Sequence, residues 1–353
     1  MKVKLGLYGL LGAGVALSGM TAAGTAAGEE LTIASWGGAY QTSQREAYYK
    51  PYAKEANVTV LEDEWSGELA QIRVQVETGN YKWAVVDVEA DHVIAGCDEG
   101  ILETIDYSLL GGKDAFVPGA AHDCGVGTIS WSTIYAYDAD VWPEGNRPTT
   151  MADFFDLQKF PGKRGLYKSP KVNLEFALIA DGVPASEVNA ALAAPGGIER
   201  AFAKLETIKD QVVWWSAGAQ APQFLADKEV VMTTAWNGRI YDAVMKEGKN
   251  FVIVWDGQAI DYDWWTIPKG HPQKDAAMEF IAFASRPDVM ANQSKYISYG
   301  PTLKAVIPMI DPAVLPHLPT APDNIKLAYS IDGQWWADHR EELTERFNAW
   351  LAQ

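Results

Sequence analysis

The sequence predicts an α/β protein of two structural units, each a mostly parallel sheet flanked by helices. Three observations carry this. The chain has 353 residues, whereas single hydrophobic cores stop growing at about 250–300. Short β-rich runs alternate with longer amphipathic stretches, the rhythm of βαβ units. Residues 84–88 (AVVDV) are apolar almost throughout, as a strand covered on both faces is.

Taken in order, the chain opens with an address. Lys2 and Lys4 precede an apolar Gly/Leu/Ala/Val stretch to about Leu17, and small residues follow up to Gly28. This is the pattern of an export signal spanning 1–28, too short and too small-residue-rich at its end for a membrane span. A periplasmic protein with the signal removed is expected. Residues 31–35 then read as a strand, 44–55 as a helix, 58–62 as a strand and 69–78 as a helix with Leu69, Ile72 and Val76 on one side. The strand at 84–88 completes a βαβαβ unit.

The second half repeats the style without repeating the sequence. Residues 154–160 end at Pro161-Gly162, 174–181 and 197–209 read as helices, and 230–234 and 251–255 as strands. Residues 272–284 form a helix with Met278, Ile281 and Ala282 on one face, stopped near Arg286-Pro287. No flexible linker separates the halves, so several chain crossings and a hinged cleft between lobes are expected.

Composition excludes several functions. Asp and Glu number 46 against 29 Lys and Arg, a formal charge of −17. Such acidity argues against nucleic acid as a partner, because backbone binding needs a basic face. Cys97 and Cys124 are the only cysteines, and an even count in an exported chain points to one disulfide. The sequence has no nucleophile elbow, phosphate-binding loop, zinc-protease motif or dinucleotide fingerprint. The five histidines are dispersed, so no metal or cofactor is expected. Asp261 and Asp263 suit an acid–base pair in a hydrolase or lyase, and equally suit a bound cation. The binding reading is preferred.

Three further stretches carry a family signature. Ile33-Ala-Ser-Trp-Gly-Gly-Ala-Tyr40 follows the first strand, Thr234-Ala-Trp-Asn-Gly-Arg239 lies in the second half, and Ile297-Ser-Tyr-Gly-Pro-Thr302 comes after a helix and Ser285-Arg-Pro-Asp-Val. In this order, behind an export signal, they resemble the periplasmic substrate-binding proteins of ABC transporters, specifically the spermidine/putrescine-binding branch. The resemblance implies a two-lobed, type II-like fold that closes on a ligand, with lobe 1 from 29–131 and 262–300 and lobe 2 from 132–261 and 301–353. It also implies a monomer that delivers its solute to an inner-membrane ABC permease.

Site residues follow from the same resemblance. Trp36 and Tyr40 match the aromatic wall of the first lobe, Trp236 a contact from the second, and Tyr299 a further cleft tyrosine. Asp263 matches the carboxylate that receives an amine, and Glu175 a second-lobe acid. Trp336 falls where polyamine binders carry a polar cleft residue. Glu89 and Asp91 follow the third strand, where the family has small or aromatic residues. The chemistry agrees: carboxylates replace an ammonium's hydration, and Trp and Tyr faces add cation–π attraction of about 0.5–2 kcal/mol each. Most of the fourteen Trp are still expected in the core. Trp83, Trp142 and Trp350 read so, and within Trp214-Trp215 and Trp264-Trp265 at most one of each pair can face the cleft.

Two positions depart from the polyamine pattern. Asp261 stands where an aromatic is usual, and Arg239 where a small neutral residue is. A guanidinium repels a polyamine and clamps a carboxylate bidentately. Two readings stay open: a di- or triamine site in which Arg239 is tied up by Asp242, Asp261 or Glu175, and a zwitterion site for an ω-amino acid such as γ-aminobutyrate, held by Arg239 and Asp263.

Overall fold

In this computed structural model the described residues are 30–353, so the expected export signal at 1–28 lies outside them. Eleven strands form one sheet: β1 (Glu30–Ser35), β2 (Thr59–Glu64), β3 (Val85–Glu89), β4 (Ala121–His122), β5 (Gly125–Asp138), β6 (Arg164–Tyr167), β7 (Val212–Trp215), β8 (Met232–Trp236), β9 (Phe251–Thr266), β10 (Gly300–Pro301) and β11 (Tyr329–Ser330). The order is β2-β1-β3-β9-β5-β8-β6-β7, with β4 and β10 beside β5 and β11 beside β9. Parallel trios lie at the two ends, β2-β1-β3 and β8-β6-β7. The antiparallel strands β5 and β9 join them and belong to both lobes.

These two strands are where the structure departs most from the sequence reading. Residues 251–255 were expected as a short strand, and 125–138 were not assigned; instead both are long, 16 and 14 residues. Residues 256–263 continue the same strand: Asp261 and Asp263 share the face toward the cleft, whereas Asp256 accepts from Met151 N and Gln258 donates to the carbonyls of Pro319 and Asn324. Register shifts between Gly127 and Ile129 and between Thr133 and Tyr135 bend the ribbon as it passes between the lobes. The expected boundary residues Trp131 and Asp261 are cross-strand partners in the middle of this ribbon.

Two large cores flank it. The first gathers Leu31, Ile33, Tyr48, Tyr52, Phe280 and Ile281. Leu303, Val306, Ile310, Val314 and Leu318 also pack there, so residues 303–318 lie with the first lobe and not with the second, to which the sequence reading gave 301–353. The apolar side of this segment found its partners through β10, which pairs Gly300 and Pro301 with Ser130 and Ile129. The second core gathers Phe154, Phe160, Leu174, Phe176, Trp336, Leu343 and Phe347. Residues 329–347 belong to it.

Expected helices fall near their places: Leu69–Thr78, Asn173–Ala180, Gly197–Glu206 and Lys274–Ala284. The first helix spans 38–56 and contains a π-helical turn at Arg45–Tyr49 that directs Tyr48 and Tyr49 into the core. Cys97 and Cys124 are joined, with Cα atoms 5.7 Å apart. The bond ties the end of the Ala90–Asp98 helix to the start of β5.

Candidate functional site

The site lies where strand ends from both lobes meet the β5–β9 ribbon. β1 ends at Ser35, and the chain turns through Gly37 (φ 62°) and Gly38 (φ 56°) into the Gly38–Gln44 helix. Only glycine adopts such angles freely. A Cβ on Gly38 would also stand 2.8 Å from Arg239 Nη1. Trp36 precedes this turn and packs on Trp65 and Trp236, with centroids 5.2 and 6.3 Å away. Tyr40 donates its hydroxyl to Asp87 Oδ2 at 2.8 Å and sets its ring edge-on to Tyr299 at 5.4 Å.

From the other side, each residue of the Trp236–Arg239 motif has a separate task. Trp236 ends β8 as a cavity wall. The amide of Asn237 accepts from Ser132 N and donates to Ser298 O, tying β5 to the Tyr299 segment. A Cβ on Gly238 would stand 2.5 Å from the Tyr299 ring, so glycine alone admits that tyrosine. Arg239 reaches across to donate to the carbonyls of Gly37 (2.9 Å) and Trp36 (3.2 Å). Its Nε is buried without a partner. Among the described residues it makes no ion pair, and the expected alternatives are engaged elsewhere: Asp242 with Lys246, Asp261 with Lys171, Glu175 with Trp336.

On β9, residues 261 and 263 point to the same face. Asp263 accepts from Trp131 Nε1 at 2.7 Å and, among the described residues, has no cationic partner. Burial first, then the fields of Asp87, Glu89 and Asp261, raise its pKa well above the usual carboxylate range, against the Trp131 bond. Asp263, Glu89, Arg239, Trp131, Trp36, Tyr40, Trp236 and Tyr299 line one small cavity. One wall is therefore an unneutralised carboxyl group and another a guanidinium with donors to spare.

The remaining acids are already satisfied. Lys171 Nζ lies 2.8 Å from Glu89, 2.6 Å from Asp91 and 2.9 Å from Asp261. Arg340 meets Asp91 at 2.5 Å and Glu89 at 3.2 Å. Burial alone would raise Glu89 and Asp91, but the two cations outweigh it and hold both below their ordinary values. At Asp261 burial prevails over Lys171, and its pKa stands at about 6. Lys171 and Arg340 come from the second lobe and Glu89 and Asp91 from the first, so this cluster clasps the lobes together.

The structure thus brings seven of the sequence-derived residues around one cavity: Trp36, Tyr40, Glu89, Trp236, Arg239, Asp263 and Tyr299. Asp91 and Asp261 sit beside it in the clasp. Glu175 and Trp336 do not reach it; they pair with one another in the second core, Trp336 Nε1 donating to Glu175 Oε1 at 2.7 Å. Sequence reasoning missed Trp131, Asp87, Lys171 and Arg340. The signal for the last two was charge balance: several acids expected at one place need internal cations.

Buried Glu175 gives a stability prediction. Burial raises its pKa to about 7, against the Trp336 bond. A pKa raised on folding contributes stability below the unfolded value, near 4.5, that is lost as pH rises through 7. Glu175→Gln keeps an acceptor for Trp336 and removes the carboxylate. Thermal melts should show the variant gaining about 2–3 kcal/mol relative to the parent at pH 8, and little at pH 5. An equal effect at both pH values would sink this account.

Among the described residues two groups have donors close enough to converge on a metal ion: Glu89, Asp91 and His92, and Cys97, His122 and Cys124. The first set already holds Lys171 and Arg340, and in the second the sulfurs are bonded to each other.

Comparison with known proteins gives the same picture of the fold. Residues 47–320 match the family model for bacterial extracellular solute-binding proteins. The chain is 43% identical over 350 residues to the Gamma-aminobutyric acid-binding protein of Pseudomonas aeruginosa, covering 99% of this chain and 96% of that one. Among solved structures it resembles the Atu4243-GABA receptor (34% identity, 92% and 98% of the chains, TM-score 0.81). It also resembles MotA of A. tumefaciens B6 in complex with glucopine (31% identity, 91% and 99%, TM-score 0.86). The spermidine/putrescine-binding protein of Salmonella typhimurium is matched more distantly, at 25% identity over 248 residues and 68% of each chain.

Proposed function

We propose that this chain, which belongs to the bacterial extracellular solute-binding protein family, captures a small ω-amino acid of the γ-aminobutyrate class in the periplasm. As the solute-binding component of an ABC importer it works with a membrane permease, and it is not an enzyme. Asp261, expected as one half of an acid–base pair, is instead bound to Lys171.

One observation carries the choice of solute. A single cavity holds a buried carboxyl group without a cation, Asp263, and a buried guanidinium with an unused Nε, Arg239. An ammonium satisfies the first and a carboxylate the second. The aromatic rings between them suit a short methylene chain. The polyamine reading has less support: Glu89, Asp91 and Asp261 are neutralised from within, and Arg239 would repel a second ammonium. The full-length relative is a Gamma-aminobutyric acid-binding protein, whereas polyamine binders are matched distantly. Closure on the solute is a hinge motion along β5 and β9.

Calorimetry on ligand-stripped protein with γ-aminobutyrate, β-alanine, 5-aminovalerate and putrescine tests this. Binding confined to the amino acids supports the reading; binding of putrescine alone overturns it. Titrations run below the raised pKa of Asp263 should show proton release. Below its raised pKa the empty cleft keeps Asp263 protonated, and an arriving ammonium expels that proton. Apparent affinity should therefore rise with pH by up to about tenfold per unit. The heat should differ between phosphate and Tris by up to about one proton's ionisation. Identical heats and a flat profile would remove Asp263 from the ammonium site.

A further inference from the structure

We propose that Lys171 is a specificity determinant: its ammonium occupies the place that the second ammonium of an α,ω-diamine would take, and so reserves the cleft for ligands with one amine. This rests on the ω-amino acid reading of the same cleft and explains how an acid-rich site rejects the more highly charged ligand.

The geometry is that of a bound primary ammonium. Lys171 Nζ meets three carboxylates from two segments, Glu89 and Asp91 where β3 passes into the Ala90–Asp98 helix and Asp261 on β9, at 2.6–2.9 Å. A three-donor ammonium is thereby fully satisfied. The side chain is 5% exposed. It lines a second small space that shares Glu89, Trp131 and Trp236 with the cavity holding Arg239 and Asp263. The two spaces are neighbours with common walls, and Glu89 stands between Asp263 and Lys171. A diamine anchored at Asp263 needs a second set of acceptors, and the acids beyond Glu89 are those that Lys171 holds.

Backbone geometry fixes the lysine in this role. Pro170 precedes it, and Val172 follows at φ 72°, a conformation that β-branched residues rarely adopt. The turn places Lys171 at the start of the Asn173–Ala180 helix and in the cleft. Arg340 supplies the only other cation in contact with Glu89 and Asp91 among the described residues, and it leaves Asp261 untouched. Removing the Lys171 charge therefore frees Asp261 entirely and Glu89 in part.

The test compares putrescine and γ-aminobutyrate on ligand-stripped parent, Lys171→Met and the charge-relieved Lys171→Met/Asp91→Asn, which keeps Asp261 and Glu89 as acceptors, by calorimetry and thermal shift. Methionine keeps the length of the stem without its charge. The double variant has one acid fewer, so its clasp carries less like-charge repulsion if the single variant does not fold. The parent should bind γ-aminobutyrate and ignore putrescine, while a folded variant should bind putrescine at least tenfold more tightly than the parent. If the parent binds γ-aminobutyrate and no folded variant gains putrescine, this inference fails and the solute assignment stands. If the parent binds no ω-amino acid yet a variant gains putrescine, the assignment fails and the role of Lys171 stands. A parent that binds putrescine as tightly as γ-aminobutyrate overturns the inference outright.

Discussion

An Asp263→Asn variant is expected to lose affinity for γ-aminobutyrate by about 100-fold or more, while folding at least as stably as the parent. Asparagine keeps an oxygen for Trp131 Nε1, which Asp263 accepts at 2.7 Å, so the wall of the cavity is preserved. What disappears is the charge opposite the ligand's ammonium. Truncating one partner of a buried charge pair costs about 2–5 kcal/mol, and 2.7 kcal/mol is about 100-fold. Stability moves the other way because the carboxyl is buried, is repelled by Asp87, Glu89 and Asp261, and has its pKa raised. Such a group contributes stability at low pH that is lost as pH rises through its folded value. The advantage of asparagine in ligand-free melts should therefore grow with pH. Unchanged affinity would remove Asp263 from the site, whereas lost affinity with a collapsed melt would make its role structural.

Arg239→Gln should weaken γ-aminobutyrate by about 30- to 1000-fold, equivalent to roughly 2–4 kcal/mol. The guanidinium also donates to the carbonyls of Gly37 and Trp36, so loss of affinity alone does not separate a clamp from a brace. Butylamine, which lacks the carboxylate, does. A clamp predicts that its weak binding is unchanged in the variant, and a brace predicts that both ligands weaken together. Arg239→Lys should recover little, because a point ammonium cannot reproduce the planar fork that meets carboxylate with two bonds. Equal γ-aminobutyrate binding by parent and variant would end the zwitterion assignment.

The ease with which the site residues were found differs by their chemistry. Trp36, Trp236, Arg239 and Tyr299 lie in motifs at strand ends, where a strand turns into a helix or loop and the side chain is fixed by local backbone geometry. Gly38 and Gly238 mark the same places, because each leaves room for an arginine or a tyrosine from a distant segment. Asp263 was legible through its place in the family pattern, as the carboxylate expected to receive an amine. Glu175 carried the same signal and meant something else. It lies in the apolar helix Asn173–Ala180 and bonds to Trp336, 161 residues away, inside the second core.

The sequence by itself determined the class of the fold, its two cores and most helices, and it raised the expectation of an amine-binding cleft with an unexplained arginine. Those follow from local periodicity, composition and motifs, which each segment carries alone. Tertiary structure decided the balance of charges. Glu89 and Asp91, Asp261, Lys171 and Arg340 come from four separate segments, and nothing local says that one lysine would meet all three acids. The same applies to the lengths of β5 and β9, which run far beyond the short strand expected at 251–255 because each is paired with the other across the hinge. An ion's partners depend on distance in space, and only the folded chain sets that distance; here it leaves Asp263 the one cavity acid with no cation among the described residues.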